Sequence, residues 1–217
     1  MDKILKEKTE DGSNTLYVPR LDEHYHSTKG AVTESRHIFI KEGLLHTQLN
    51  NIKVLEIGFG TGLNAYETLL KSTENDIQVD FHSLELFPLK WDDVKDLEYS
   101  SSKEYKDLIT SNWNTTNQIT SNFKLTKYHV DFTELDVETF ESNFDVIYFD
   151  AFAPEKQPEM WSQQLFNKLY VLLKDKGILT TYCAKGVVRR MLQESGFTVE
   201  RIPGPPGGKR EILRANK

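Results

Sequence analysis

Asp150 ends the apolar run Phe144, Val146, Ile147, Tyr148, Phe149 and is followed by Ala151-Phe152-Ala153-Pro154 and then Pro158-Glu159-Met160-Trp161. A carboxylate at the carboxyl end of a buried strand stands where an open α/β sheet binds its ligands, so with the aromatic and the proline that follow it suggests the floor of a site. The same residue type also caps turns, so this stretch alone leaves both roles open. A second constellation lies upstream in Glu56-Ile57-Gly58-Phe59-Gly60-Thr61-Gly62-Leu63-Asn64, between an apolar strand and a helical pattern. Glycines there permit positive φ and bring backbone amides close to a ligand at the positive end of a helix. The third glycine comes one residue too early for the dinucleotide fingerprint, and no Lys-Ser or Lys-Thr follows, which sets aside the phosphate loop of nucleotide hydrolases. Glu85, at the end of Ile77–Glu85, falls within the roughly 20-residue spacing of an acid that grips ribose hydroxyls. Asp131, after the extended segment Phe123–Val130, stands where an acid could accept from an adenine amino group. Each sign alone also fits a turn or a helix cap; in this order they point to a nucleoside cofactor.

The elements that must position these residues alternate. Ile52, Val54, Leu55 and Ile57 form a strand, and Ala65, Leu69 and Leu70 continue as a helix. Further strands are expected at 77–85, 123–130, 144–149, 178–182, 197–202 and 210–214, with helices from Pro158 through Leu173 and over 187–194, the latter closed by Gly196. This is the pattern of an α/β fold. The first fifty residues differ, with a hairpin expected from Leu16-Tyr17-Val18 and His24-Tyr25-His26 and a helix from Thr33 to Leu45. Residues 98–122 are polar, rich in Ser, Thr and Asn, and are expected as a helical excursion or loop anchored by Trp113.

At 217 residues the chain lies within the range of a single α/β domain, able to bury roughly 70% of its unfolded surface. No apolar run reaches the length of a membrane span, and Met1-Asp2-Lys3-Ile4-Leu5-Lys6 is too charged for a signal peptide, so a cytoplasmic location is expected. The single cysteine, Cys183, excludes an intrachain disulfide and a multi-cysteine zinc site, and reads as a small buried residue. His24 and His26 have an i, i+2 spacing but no acid or cysteine cluster to complete a ligand set, so no metal is expected.

Val54 to Asn64, Asp150-Ala151-Phe152-Ala153-Pro154 with Pro158-Glu159-Met160-Trp161, Val188-Arg189-Arg190 and Gly208-Lys209-Arg210-Glu211 resemble the methyltransferase domain of the MnmC family of tRNA 5-methylaminomethyl-2-thiouridine biosynthesis proteins. The resemblance runs nearly end to end and takes in Tyr25-His26-Ser27 and Glu34-Ser35-Arg36-His37-Ile38-Phe39. It implies a Rossmann-like class I S-adenosylmethionine-dependent fold: a mostly parallel seven-stranded sheet with helices on both faces, carried by residues 51–217 behind an extension over 1–50. Bifunctional members continue into a flavin-dependent oxidase domain. This chain resembles the stand-alone form, which implies S-adenosylmethionine as cofactor, no flavin and no metal.

The implied reaction is methylation of the aminomethyl nitrogen of a wobble uridine in the tRNA anticodon loop. The cofactor residues implied are Glu56, Gly58, Phe59, Gly60, Thr61, Gly62, Asn64, Glu85, Asp131 and Asp150, and Asp150 is also the implied catalytic acid group, aiming the amine lone pair. Phe152 and Pro154 are expected to bind the substrate, Phe152 by stacking on an extruded uracil, while Trp161 has the helical spacing of a core residue. Lys185, Arg189, Lys209 and Arg210 are expected on the substrate side. The net charge of −6 is unlike that of a nucleic-acid binder, although Lys185, Arg189, Arg190, Arg201, Lys209 and Arg210 fall close together near the end of the chain. Weak, salt-sensitive tRNA binding is therefore expected. Two other functions remain open: a class I transferase acting on a small amine, such as an aminopropyl transferase, and a non-catalytic tRNA-binding module. Oligomeric state is not legible.

Overall fold

The computed structural model describes residues 4–138, 140 and 143–217, so the charged opening Met1-Asp2-Lys3 lies outside the described residues. Strands β1 (Leu5–Lys8), β2 (Asn14–Val18) and β3 (Glu23–His24) form a small antiparallel sheet. The hairpin expected from Leu16 to His26 is its β2–β3 half, and β1 adds a strand that its exposed, charged sequence did not announce. Helix α1 (Ala31–Ser35) then widens over Arg36–Leu44, where the Leu45 amide reaches back five residues to the Ile40 carbonyl. Ile38, Phe39 and Ile40 are all buried. A wider spiral turns less per residue, so three successive apolar side chains can share one face.

The main sheet is built from β4 (Asn51–Ile57), β5 (Gln78–Glu85), β6 (Thr116–Thr120), β7 (Phe123–His129), β8 (Phe144–Phe149), β9 (Leu173–Thr181), β10 (Thr198–Pro203) and β11 (Glu211–Asn216), in the order β10-β11-β9-β8-β4-β5-β7-β6. The run β9-β8-β4-β5-β7 is parallel, whereas β11 pairs antiparallel with both β9 and β10, and β6 antiparallel with β7. Seven of these match the expected strands, and β6 is an eighth at the edge. It falls in the polar stretch read as helix or loop; its sequence, TNQIT, is nowhere fully buried and so lacks the apolar alternation that marks a strand. The helical part of that stretch is α4 (Lys103–Thr110), which follows α2 (Leu63–Glu74) and the short α3 (Trp91–Val94).

Alternation along the central strands sorts the core. Val54, Val146, Tyr148 and Ile212 face a cluster that includes Phe39 and Leu44 of the widened helix and Leu69 of α2. Leu55, Ile147, Phe149 and Leu213 face the opposite cluster, which holds Phe166 of α5 (Gln163–Leu172) and Leu192 of α6 (Gly186–Glu194). Every residue of β8 is buried. Its start is pinned where Asp145 accepts the Lys53 amide at 2.8 Å and the Lys174 ammonium at 2.8 Å, so Asp150 emerges from a strand fixed at both faces and at its root. No helix among the described residues is long and apolar enough to cross a membrane.

Candidate active site

At the carboxyl ends of β4, β5, β7 and β8 the sheet opens into a cavity of about 420 Å³, within the usual range of small-molecule sites. This is the switch point of the sheet, since β4 continues the chain towards β5 on one side and pairs with the later β8 on the other. The roof comes from a different part of the chain, Glu23–Thr28 and Glu34.

The glycine loop forms the floor, and two of its glycines are required by space as well as by handedness. Gly58 has φ +96°, and a Cβ there would lie 2.9 Å from the Asp150 carbonyl oxygen. At Gly60, with φ +51°, a Cβ would lie 2.9 Å from Cδ1 of Tyr25. Glu85 braces the loop: one carboxylate oxygen accepts the Gly60 amide at 2.9 Å and the other the Phe87 amide at 2.8 Å. Asp131 also faces the cavity, with one oxygen held by the Thr133 amide and hydroxyl at 2.8 and 2.7 Å.

Asp150 follows β8 on the cavity wall, where Oδ2 accepts the Asn64 side-chain amide at 2.8 Å. Burial, the largest influence, pushes its pKa up to about 7; Asn64 pulls it down, Glu34 adds to the rise and Lys209 opposes it. The backbone that follows is clamped. The Tyr182 hydroxyl donates to the Ala151 carbonyl at 2.8 Å, the Trp161 indole to the Phe152 carbonyl at 2.7 Å, and the Phe152 amide donates to Gln157 at 3.3 Å. Phe152 is half-buried, its ring edge-on to Tyr25 with centroids 5.1 Å apart, so it walls the cavity and is not a core residue. Trp161 is buried against Phe149 and Phe166, as expected, but the helix expected from Pro158 is a 3-10 turn over Pro158–Met160 and then α5 from Gln163, so Trp161 lies between the two and not on a helical face. The Lys209 ammonium lies 4.6 Å from the Tyr182 ring centre and pairs with Glu34.

Of the cofactor residues expected from sequence, Gly58, Phe59, Gly60, Glu85, Asp131 and Asp150 line the cavity, while Glu56, Thr61, Gly62 and Asn64 stand behind its wall. Glu56 is fully buried and accepts the Ser83 hydroxyl at 2.6 Å, and burial raises its pKa well above the carboxylate range. Thr61 is a strut: its hydroxyl meets Nε2 of His26 at 2.8 Å and accepts from Tyr99 at 3.0 Å, and its carbonyl accepts from Tyr105 at 2.6 Å. Burial holds the His26 pKa down at about 4, so the imidazole is neutral at pH 7. Its neighbour His24 turns instead to Glu7, and no group of three or more potential metal ligands occurs among the described residues. On the substrate side, Phe152 and Lys209 reach the cavity, whereas Pro154, Lys185, Arg189 and Arg210 do not line it. Lys185 caps α6 and pairs with Glu155, and Arg210 is exposed. The sequence reading missed Glu34 and Tyr182 as cavity residues, and Tyr25 and His26 as parts of its roof. Only the family resemblance carried a signal for the first fifty residues, because hairpin and helix patterns do not say what an element covers.

The family model described as S-adenosyl-L-methionine-dependent methyltransferase matches residues 97–217, more than half of the chain. The chain belongs to that family. Among curated relatives, the methyltransferase is 31% identical to the tRNA 5-methylaminomethyl-2-thiouridine biosynthesis bifunctional protein MnmC of Leptospira borgpetersenii, over 89% of this chain and 32% of that one. It is 29% identical to the protein of the same name from Marinomonas, over 89% and 31%. The chain thus spans about a third of the length of these relatives. The solved structure of MnmC2 from Aquifex aeolicus matches 99% of the methyltransferase and 70% of its own chain at TM-score 0.85 and 24% identity. Spermidine synthase from Thermotoga maritima shares the fold at TM-score 0.60 and 15% identity, over 100% and 74% of the two chains. The cavity suits a nucleoside cofactor: at Gly58 and Gly60 the loop has no room for a Cβ, and Glu85 and Asp131 present carboxylates at the next two strand ends.

Tyr182→Phe in this methyltransferase leaves the buried Ala151 carbonyl without its partner, at a cost of about 1 kcal/mol. Turnover is expected to fall several-fold with a small loss of melting temperature, measured by methyl-transfer kinetics and thermal denaturation.

Proposed function

We propose that this methyltransferase transfers a methyl group from S-adenosylmethionine to the aminomethyl nitrogen of 5-aminomethyluridine, or its 2-thio form, at the wobble position of tRNA. The observation that carries the reading is the carboxylate of Asp150 held on the wall of the cofactor cavity with Phe152 and Tyr25 forming an aromatic corner beside it. The names of the MnmC relatives supply the substrate class. Residues 1–50 act in this reading as the extension that roofs the site, and residues 51–217 carry the cofactor fold.

Gly58, Gly60, Glu85 and Asp131 would hold the cofactor, which when bound supplies an electrophilic methyl group on a sulfonium. The residues of the chain have to present an amine in line with it and remove a proton from the nitrogen. A carboxyl group titrating near 7 is substantially ionised at neutral pH and matched to that transfer. Phe152 stacks on the extruded base, a contact worth about 1–3 kcal/mol. Lys185, Lys209 and Arg201 are each paired with an acid, Glu155, Glu34 and Glu211. Arg189, Arg190 and Arg210 pair with no acid among the described residues and are left to meet phosphate, so weak, salt-sensitive binding of the anticodon arm is expected. The reaction belongs in the cytoplasm, where tRNA is matured.

The test is to incubate the protein with methyl-labelled S-adenosylmethionine and tRNA bearing 5-aminomethyluridine, then digest to nucleosides. Labelled 5-methylaminomethyluridine is expected. Label on a free diamine and none on tRNA would overturn the assignment in favour of a small-amine transferase; no transfer to either would favour a binding module.

A further inference from the structure

Three consecutive residues of the N-terminal extension, Glu34, Ser35 and Arg36, each reach a different part of the cofactor fold. Glu34 pairs with Lys209 and accepts the Ser27 amide at 3.0 Å. Arg36 grips Glu67 of α2 with two bonds, 2.7 and 3.1 Å. Ser35, buried at 2% exposure, donates its hydroxyl to Oδ1 of Asn64 at 2.7 Å, and Asn64, also 2% exposed, donates its Nδ2 to Asp150 at 2.8 Å. The last of these links leads to the carboxylate on which the functional reading rests.

A side-chain amide has a donor end and an acceptor end of nearly the same shape, so a buried one is held in a single orientation only where its two ends meet unlike partners. Asn64 meets the Ser35 hydroxyl at its oxygen end and the Asp150 carboxylate at its NH2, and its side chain also bonds Glu56. With Oδ1 taken by Ser35, the NH2 must face Asp150, where it stabilises the ionised carboxylate. Reversed, the amide would set a carbonyl oxygen against that carboxylate, an arrangement that only a protonated Asp150 relieves by donating to it. We propose that Ser35 is a positioning residue for the reaction: its hydroxyl fixes the Asn64 amide with its NH2 towards Asp150 and so keeps the carboxylate able to take a proton. The proposal rests on the reading of Asp150 as proton acceptor. It assigns to Ser35, which does not line the cavity, a role that the cofactor loop does not contain.

The groups facing Asp150 from the surrounding elements are Glu34 of α1, Glu56 of β4, Tyr182 after β9 and Lys209 of the β10–β11 loop. All are kept in a Ser35→Ala variant. Following the carboxyl carbon of Asp150 by 13C NMR across pH, with the signal assigned through Asp150→Asn, reads the effect without any transfer assay. In Ser35→Ala the midpoint is expected to move up by about one pH unit, and the acid limb of kcat to move with it at unchanged affinity for S-adenosylmethionine. Ser35→Thr, which keeps the hydroxyl, is expected to restore both. Arg36→Gln breaks a different link between the same two helices and is expected to lower the melting temperature while leaving the midpoint in place. An unchanged midpoint in Ser35→Ala, or an equal movement in Arg36→Gln, would overturn the proposal. If the midpoint moves as expected but the wild-type protein makes no methylaminomethyluridine, the functional reading fails and the positioning of Asp150 by Ser35 stands.

Discussion

Asp150→Ala is expected to lower kcat for methyl transfer by about 10²- to 10⁴-fold, the contribution ordinarily made by a well-placed acid–base group, and to leave S-adenosylmethionine binding within a few-fold of wild type. The large effect on turnover follows from the position of the carboxylate, fixed by the fully buried β8 behind it and by Asn64 beside it. The same geometry sets the pH dependence. In the folded protein Asp150 titrates near 7, above the ordinary value of 3.8, so between these limits the native state holds a proton that the unfolded chain has released. Its contribution to stability is therefore complete below about pH 4 and is lost as the pH rises through 7. Asp150→Asn, which keeps the shape and removes the charge, is expected to melt higher than wild type at pH 8 and to lose that advantage near pH 4. In the wild-type enzyme kcat/KM is expected to rise with pH through a midpoint near 7. Unchanged turnover in Asp150→Ala, measured with saturating cofactor, would remove this residue from the reaction centre.

Gly58→Ala should combine a stability defect with loss of cofactor binding. The backbone at φ +96° already disfavours an L side chain, and the new methyl would meet the Asp150 carbonyl oxygen at 2.9 Å and its carbon at 3.4 Å. Both obstacles are backbone, so no side chain can swing aside. Strain of this kind costs about 1–3 kcal/mol, and relief requires the loop to withdraw from the end of β8. Withdrawal also lengthens the bonds from the Gly58 and Phe59 amides to the Leu84 carbonyl, now 3.0 and 3.3 Å. A tenfold or greater loss of affinity, measured calorimetrically, corresponds to about 1.4 kcal/mol and is the expected minimum. Gly12→Ala provides the comparison: its φ is +87°, but nothing lies within 4 Å of the added carbon. That variant should lose some melting temperature and keep its affinity.

The alternation of strand and helix was legible because β4, β8 and the helix α5 carry apolar periodicities that packing enforces on both faces of the sheet. The carboxylates after β5, β7 and β8 were legible because strand ends are where an α/β sheet binds ligands, and a charged residue that abruptly ends an apolar run is conspicuous. What stayed hidden has physical reasons. Strand β6 is an edge whose residues need only backbone pairing, so TNQIT shows no pattern. Thr61 and Asn64 sit one and four residues beyond Gly60, which does line the cavity, yet the twist of the chain into α2 turns Asn64 towards Asp150 and Thr61 towards His26 and Tyr99. No linear spacing encodes that turn. Tyr182 ends the strand expected at 178–182, and a tyrosine at a strand end carries no mark of the backbone oxygen, here that of Ala151, to which it donates. The apparent basic cluster near the end of the chain was the opposite case. Its six basic residues share the last part of the chain, but Glu155 and Glu34, from outside that stretch, pair with both of its lysines.

Tyr25 rests against Gly60 on one side and Phe152 on the other, on a segment tied down through the contact of His26 with Thr61. Exchange of the ligand is expected to depend on that stretch lifting. Capture of the cofactor should then be gated: the observed association rate climbs with cofactor concentration and levels off at the rate at which the roof opens. Residence time, in turn, is governed by the same opening, so loosening the roof would speed release and capture together while barely moving the equilibrium constant.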